Sequence, residues 1–176
     1  MRERIVLVGF MGSGKTTVGG ALARLLGWGF QDMDRAIEEA AGLTIAQIFE
    51  QHGEAYFRSE ELRAARRLAL LPRHVVAAGG GAFAAPRTRK VLCLGAVAVW
   101  LRCDLETVLA RVRPDGSRPL ASNRERMRQL FVERQPSYGL ADVSVDASAA
   151  PVEVARQIVA TVFPEGPPRA ARDIDR

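Results

Sequence analysis

The chain has 176 residues, 48% of them hydrophobic, which is enough for one compact α/β domain and too few for a second large one. Its formal net charge of +5 comes from scattered arginines, without the dense basic stripe or aromatic platform that binds nucleic acid. No stretch approaches the roughly 20 apolar residues of a membrane span, and the first residues lead into a strand without a signal peptide. We therefore expect a cytoplasmic protein without nucleic-acid or membrane partners. Cys93 and Cys103 lack metal-ligand spacing, which favours buried free thiols.

Strand-like runs alternate with helical patterns, which is typical of an α/β fold with a parallel sheet. A helix is expected from about Lys15 to Leu26, ending at Gly27, and another from Thr44 to Gln51, where Thr44 and Gln47 have the spacing of a capping box. Further helices are expected over 54–71 and from about Pro151. The predicted strands are Ile5–Val8, Phe30–Asp32, Val75–Ala78, Val97–Leu101 and Val143–Val145.

Three segments depart from this alternation. The helical block 33–61 lies between two core strands and is long enough to form a small appendage over the sheet. Segment 113–119 is rich in breakers and arginine, which predicts a mobile loop. The proline-rich, charged tail 164–176 is expected to be disordered. The remainder, 1–163, is expected to be a single domain.

A phosphate-binding loop follows the first strand. Residues Gly9–Thr16 read GFMGSGKT and fit the pattern G-x-x-x-x-G-K-[ST]. Backbone N–H groups of such a loop surround a polyphosphate, while Lys15 reaches the outer phosphates and Thr16 offers a hydroxyl to Mg²⁺. A glycine-rich turn without a ligand is disfavoured, because strand, loop and helix occur in the order that the mechanism needs. The loop therefore predicts binding of a nucleoside triphosphate.

Two carboxylates, Asp32 and Asp34, flank Met33 at the end of the second strand. Ligands of open α/β sheets bind beyond the carboxyl ends of strands, so one carboxylate is expected to face Mg²⁺ and the other the phosphate acceptor. The alternative for Asp34 is to cap the next helix. Neither Val75–Ala78 nor Val97–Leu101 ends in an acidic residue, which assigns the metal to Asp32 together with Thr16. The guanine-reading motif Asn-Lys-x-Asp is missing, which argues against a GTPase.

The glycine triplet Gly79–Gly81 ends the third strand. Three consecutive glycines cost conformational entropy, which favours close approach of a ligand to the backbone over a plain tight turn. Phe49 and Phe57 are candidates either for the wall of an acceptor pocket or for the core.

Five arginines stand near these elements, at positions 58, 111, 118, 124 and 134. A single arginine is most often a solvated surface charge. Arg118 differs, because it lies between Ser117 and Pro119 on the breaker-rich loop. A closing loop that carries a guanidinium to the transferred phosphoryl group would act as an arginine finger.

Taken together, these motifs resemble one family. The segments GFMGSGKTT, DMD, FR within EAYFRSEE, GGG, SRPL and ERQPSY occur in the order found in shikimate kinases, P-loop kinases related to nucleoside monophosphate kinases, from Ile5 to Val162. The resemblance implies a three-layer α/β/α P-loop kinase fold with a five-stranded parallel sheet, a substrate-binding segment at 33–61 and a lid at 112–123. It also implies transfer of the γ-phosphoryl of ATP to the 3-hydroxyl of shikimate, with Mg²⁺, in aromatic amino-acid biosynthesis.

The resemblance also implies a role for each matching residue. Asp34 would orient or deprotonate the acceptor hydroxyl, and Arg58 and Arg134 would bind the shikimate carboxylate. Gly80 and its neighbours would offer N–H groups to the acceptor, while Arg111 would lie against adenine. The catalytic residues would be Lys15, Asp34 and Arg118; the nucleotide-binding residues Gly12, Ser13, Gly14, Lys15, Thr16, Thr17, Arg111 and Arg118; the acceptor-binding residues Asp34, Arg58, Gly79, Gly80, Gly81 and Arg134; and the metal-binding residues Thr16 and Asp32.

Two positions depart from the family pattern. Ala78 stands where many relatives have threonine, and segment 146–151 lacks the polar or basic residue that often helps to hold adenine. Two alternatives remain: another small-molecule kinase such as a gluconate kinase, and a regulatory module that binds nucleotide without transfer. A monomer is expected, because no exposed apolar repeat calls for a partner.

Overall fold

The computed structural model describes residues 3–112 and 123–166, in which strands and helices alternate. The five predicted strands are confirmed, with ends that differ by no more than one residue. The strands are β1 (Arg4–Val8), β2 (Gly29–Asp32), β3 (His74–Ala77), β4 (Val97–Arg102) and β5 (Val143–Asp146). The helices described are α1 (Lys15–Leu26), α2 (Met33–Ala41), α3 (Ile45–Leu68), α4 (Pro86–Leu92), α5 (Leu105–Arg111), α6 (Arg124–Tyr138) and α7 (Pro151–Val162).

The strands form one parallel sheet in the order β2-β3-β1-β4-β5. Every residue of β1 is buried, because this central strand is covered on both faces. One apolar cluster joins the sheet to α1 and α7, and a second joins it to α2 through α6. The α/β class, the five-stranded parallel sheet and the three-layer arrangement are confirmed.

Local sequence patterns predicted several helix ends correctly. Helix α1 ends at Gly27, and Thr44 caps α3 in a capping box with Gln47, as predicted. The two helices expected over 44–71 form α3, with a break at Gly53, whose φ of 77° and ψ of 178° are not helical. The predicted end at Leu71 is wrong: α3 stops at Leu68 and a turn leads to Pro72.

Several expectations are corrected or lie outside the described residues. Cys93 and Cys103 are free thiols as expected, but both are partly exposed rather than buried. Arg118, the lid apart from its ends at Val112 and Asn123, and tail residues 167–176 lie outside the part of the chain that the structure describes. Within that part, no helix combines the length and the apolarity that a bilayer crossing requires.

Candidate active site

The candidate site lies at the carboxyl ends of three neighbouring strands. The phosphate-binding loop follows β1, Asp32 ends β2 with Asp34 two residues later, and the glycine triplet follows β3. Because the strands are parallel, these ends share one edge of the sheet. They border a cavity of about 370 Å³, lined also by α3 and α6. Its lining includes Thr16, Asp32, Asp34, Phe49, Phe57, Arg58, Glu61, Gly79, Gly80, Gly81 and Arg134.

The loop after β1 has the geometry of an anion site. Gly12 and Gly14 adopt φ values of 76° and 90°, in the left-handed region that glycine enters without steric cost. The ammonium of Lys15 donates to the carbonyls of Gly9 and Phe10 at 2.9 Å each, so its charge lies across the loop. The first N–H groups of α1 have no acceptor within the helix and favour an anion at this end.

Asp32 joins the loop to the second strand. The hydroxyl of Thr16 donates to Oδ2 of Asp32 at 2.7 Å, while Oδ1 accepts from the backbone N–H of Asp34 at 3.0 Å. Asp32 is therefore the N-cap of α2, and the alternative capping role that we considered for Asp34 is wrong. A hydroxyl and a carboxylate are oxygen donors that suit Mg²⁺, which usually keeps several waters and takes few protein ligands. The described residues contain no group of three or more His, Cys, Asp or Glu side chains arranged to bind a metal.

Asp34 faces the glycine triplet. A Cβ placed on Gly79 would lie 2.5 Å from Oδ1 of Asp34. The carboxylate therefore fits against the backbone only because position 79 has no side chain. This contact brings the second aspartate to the same cavity as the triplet, as the sequence predicted.

Two guanidinium groups converge on the other end of the triplet. Relative to a Cβ built on Gly81, Nη1 of Arg58 lies at 2.8 Å and Nη2 of Arg134 at 3.5 Å. Arg134 also stacks over the ring of Phe10, with Cζ 5.7 Å from its centroid. Adjacent guanidinium groups suit a planar carboxylate, which accepts several hydrogen bonds from them.

Glu61 belongs to the site, although we assigned it no role from the sequence. Nη1 of Arg58 donates to Oε2 of Glu61 at 2.6 Å, and the Glu61 side chain is only 2% exposed. Burial raises the pKa of Glu61, while Arg58 acts to lower it. The sequence did carry a signal for this pair: Glu61 lies three residues after Arg58 on one predicted helix, a spacing at which two side chains can meet.

Tyr138 is the second residue that the sequence analysis missed. Its hydroxyl donates to the carbonyl of Gly80 at 2.7 Å, and the residue is fully buried. The available signals were its place as the last residue of the motif ERQPSY and its position one helical turn after Arg134.

Two predicted nucleotide-binding residues, Arg111 and Thr17, lie outside the lining of this cavity. Arg111 donates to the carbonyl of Ala147 at 3.3 Å, and its Cβ lies 3.8 Å from a Cβ built on Gly12, so it stands between the 146–151 segment and the phosphate-binding loop. Thr17 is exposed on α1.

Phe49 and Phe57 fulfil both alternatives considered for them. They line the cavity, and they also pack on the core with ring centroids 4.6 Å apart.

Comparison with known proteins gives one consistent result. The shikimate kinase family model matches residues 11–163. The chain is 45% identical over 161 residues to a shikimate kinase of Moorella thermoacetica, covering 90% of this chain and 93% of the relative. The structure of a shikimate kinase from Acinetobacter baumannii in complex with shikimate superposes with a TM-score of 0.88 at 35% identity, covering 93% of this chain and 94% of the other. A gluconokinase from Sinorhizobium meliloti, at 19% identity and a TM-score of 0.61 over 94% of both chains, shares the fold alone.

Proposed function

Because the chain belongs to the shikimate kinase family, we propose that it transfers the γ-phosphoryl group of ATP to the 3-hydroxyl of shikimate, giving shikimate 3-phosphate and ADP. The observation that supports this acceptor best is the convergence of Arg58 and Arg134 on Gly81, at the end of the triplet opposite the one that Asp34 contacts. A small acid with a carboxylate at one end and a reactive hydroxyl at the other matches this arrangement.

The division of roles follows from the chemistry of phosphoryl transfer, which asks mainly for positioning and for stabilisation of charge. Arg58 and Arg134 bind the carboxylate, and the backbone of Gly79–Gly81 lies along the acceptor. Asp34 accepts the proton of the attacking hydroxyl. The phosphate-binding loop and Lys15 hold the outer phosphates of ATP.

The charge of the phosphates also needs a divalent metal, for which we propose Mg²⁺. Thr16 and Asp32 would hold it, because their oxygens lie together beside the loop. The metal would supply positive charge that neutralises the phosphates. The roles of Arg118 as an arginine finger and of Arg111 beside adenine stay predictions, as do the monomeric state and the cytoplasmic location.

The test is a coupled ADP-release assay with Mg²⁺-ATP and shikimate, quinate or gluconate as acceptor. We expect rapid release with shikimate alone. Release with gluconate would favour the alternative sugar-acid kinase. If none of the three acceptors causes ADP release while nucleotide binding is measurable, the regulatory module would be favoured.

Asp34→Asn separates transfer from binding. The amide keeps the size of the side chain but is a poor proton acceptor, so we expect kcat to fall by about 10²–10⁴. The affinity for ATP should change little. A kcat near that of the wild type would contradict the role of Asp34.

Arg58→Ala tests the carboxylate site, and Arg63→Ala is its matched control. Both arginines lie on α3 and pair with a glutamate three residues away, but Arg63 pairs with Glu60 and does not line the cavity. Arg58→Ala should raise KM for shikimate about 10-fold or more through loss of a charge-assisted hydrogen bond. Arg63→Ala should leave it unchanged. Equal effects of the two variants would place Arg58 outside the acceptor site.

A further inference from the structure

Tyr138 is a buried residue with a hydroxyl that reaches the candidate site. It ends α6, is 0% exposed, and its ring lies 6.1 Å from that of Trp100. Burial raises the pKa of Tyr138 to about 12, so the hydroxyl keeps its proton at neutral pH. It is a constant donor to the carbonyl of Gly80, at 2.7 Å.

Arg134 lies one helical turn earlier on α6, beside this hydrogen bond. Relative to a Cβ built on Gly80, Nη1 of Arg134 lies at 3.1 Å and the hydroxyl oxygen of Tyr138 at 3.7 Å. Tyr138 therefore ties the glycine triplet to the turn of α6 that carries Arg134.

This connection matters because the triplet has no side chains of its own. Glycine backbone is the most conformationally free, and side-chain contacts cannot order it. An external hydrogen bond to the Gly80 carbonyl limits rotation of that peptide. The same bond ties its position to the position of Arg134.

From this geometry we propose that Tyr138 is a positioning residue for the acceptor, holding the Gly80 peptide beside Arg134 through its hydroxyl. The inference deepens the proposed function and rests on it. A purely structural role would need only the ring, since a phenylalanine fills nearly the same volume. The hydroxyl, by contrast, bonds to Gly80, which lines the cavity together with Arg134.

Tyr138→Phe removes the hydroxyl and keeps the ring. We expect Kd and KM for shikimate to rise about 5- to 20-fold, a range for a buried carbonyl that loses its hydrogen bond. The KM for ATP should stay unchanged, and kcat should fall less than KM rises. Calorimetric titration with shikimate in the absence of nucleotide measures Kd without reference to turnover.

Trp100→Phe is the matched control. It changes the aromatic neighbour of Tyr138 and leaves the hydroxyl and its bond to Gly80 in place. We expect wild-type affinity for shikimate. Unchanged shikimate affinity in Tyr138→Phe, an equal loss of ATP and shikimate affinity, or the same loss in Trp100→Phe would overturn the inference.

A second measurement keeps the hydroxyl and so does not depend on how Tyr138→Phe folds. The chain has two tyrosines, Tyr56 and Tyr138, so labelling with 3-fluorotyrosine gives two ¹⁹F resonances, which Tyr56→Phe assigns. Shikimate should shift the Tyr138 resonance, and a resonance that does not respond would contradict the inference. If the wild type releases no ADP with shikimate, the proposed function fails and this inference with it. If the wild type is active and Tyr138→Phe is indistinguishable from it, only this inference fails.

Discussion

A Cβ on Gly79 would lie 2.5 Å from Oδ1 of Asp34, closer than two such atoms approach in real proteins. The backbone of Gly79 is outside the left-handed region, so the requirement for glycine here is one of space and not of conformation. The end of β3 and the start of α2 therefore approach each other only because this side chain is missing. The position of the proposed proton acceptor depends on that approach.

Gly79→Ala should displace the Asp34 carboxylate. A shift of about 1 Å in a catalytic group lowers turnover by about 10²-fold, and we expect a loss of that order in kcat. Affinity for ATP should change little. Gly20→Ala is the control, because a Cβ there meets only the flexible end of Arg24 at 3.8 Å. Equal kcat values for the two variants would contradict the proposed position of Asp34.

Asp32→Asn separates the two roles of Asp32. Asparagine caps helices about as well as aspartate, so α2 should keep its N-cap and the melting temperature should stay near that of the wild type. The negative charge beside Thr16 is lost. We expect the Mg²⁺ concentration for half-maximal activity to rise about 10-fold or more, since a ligand for a hard cation becomes neutral. An unchanged Mg²⁺ dependence would place the metal elsewhere.

Asp32→Ala removes the cap as well. We expect a further loss of about 0.5–2 kcal/mol in the free energy of unfolding, as for other N-cap substitutions. Thermal or denaturant unfolding of the two Asp32 variants measures this difference. If both variants unfold alike, the hydrogen bond to the N–H of Asp34 does not stabilise α2.

Glu61→Gln should change how stability depends on pH. Because burial raises the pKa of Glu61 in the folded chain, the folded state holds this proton at pH values where the unfolded state has lost it. The free energy of unfolding then falls as pH rises from the ordinary carboxyl range through the raised value. Glutamine cannot ionise, so the variant should become progressively more stable relative to the wild type as pH rises toward neutrality. Melting temperatures of both proteins from pH 4 to 8 test this, and a difference independent of pH would refute it.

The same Glu61→Gln variant should bind shikimate more weakly. The side chain of Arg58 is held by Glu61 at 2.6 Å and by Glu54 at 3.0 Å, and a neutral partner holds it less firmly. The variant would thus gain relative stability near pH 7 and lose affinity. Wild-type KM for shikimate in Glu61→Gln would show that Arg58 does not need this partner.

Arg4→Met should destabilise the fold without affecting catalysis. Arg4 is 6% exposed, and its guanidinium donates to the backbone carbonyls of Ala69, Leu92 and Leu94, which follow or end α3 and α4. It lies at the start of β1, at the edge of the sheet opposite the candidate site. Loss of these donors leaves one buried and two part-buried carbonyls without them, at a cost of about 1–3 kcal/mol. Denaturant unfolding measures the loss, while kcat should match the wild type; a lower kcat in folded protein would contradict this separation.

Structural features were predictable from the sequence where a few consecutive residues specify them. The phosphate-binding loop, the capping box at Thr44 and the end of α1 at Gly27 each lie within a few consecutive residues, and all three were predictable. The end of α3 was misjudged, because a turn before Pro72 retains the helical character of the sequence without continuing the helix. Cys93 and Cys103 were predicted to be buried but are partly exposed, since exposure depends on neighbours that the sequence does not identify.

The contacts of Arg58 and Arg134 were not predictable in this way, because they join distant segments of the chain. Arg58 and Arg134 were assigned to the acceptor through a family resemblance, whereas their meeting at Gly81 depends on the packing of α3 and α6 around the end of β3. Tyr138 and Gly80 are brought together by the same packing. Contacts between residues far apart in the chain leave no periodic or spacing signal at either position.

The phosphate-binding loop, the order of the five strands and the pair of aspartates at the end of β2 could be read from the sequence alone, because hydrogen-bonding and conformational preferences of neighbouring residues specify them. The capping of α2 by Asp32 rather than Asp34, the room that Gly79 makes for Asp34, the pairing of Glu61 with Arg58 and the bond of Tyr138 to Gly80 became apparent only from the folded chain. They depend on packing, because the parallel sheet brings the ends of distant strands to one edge, where the surrounding helices select which polar groups are buried together.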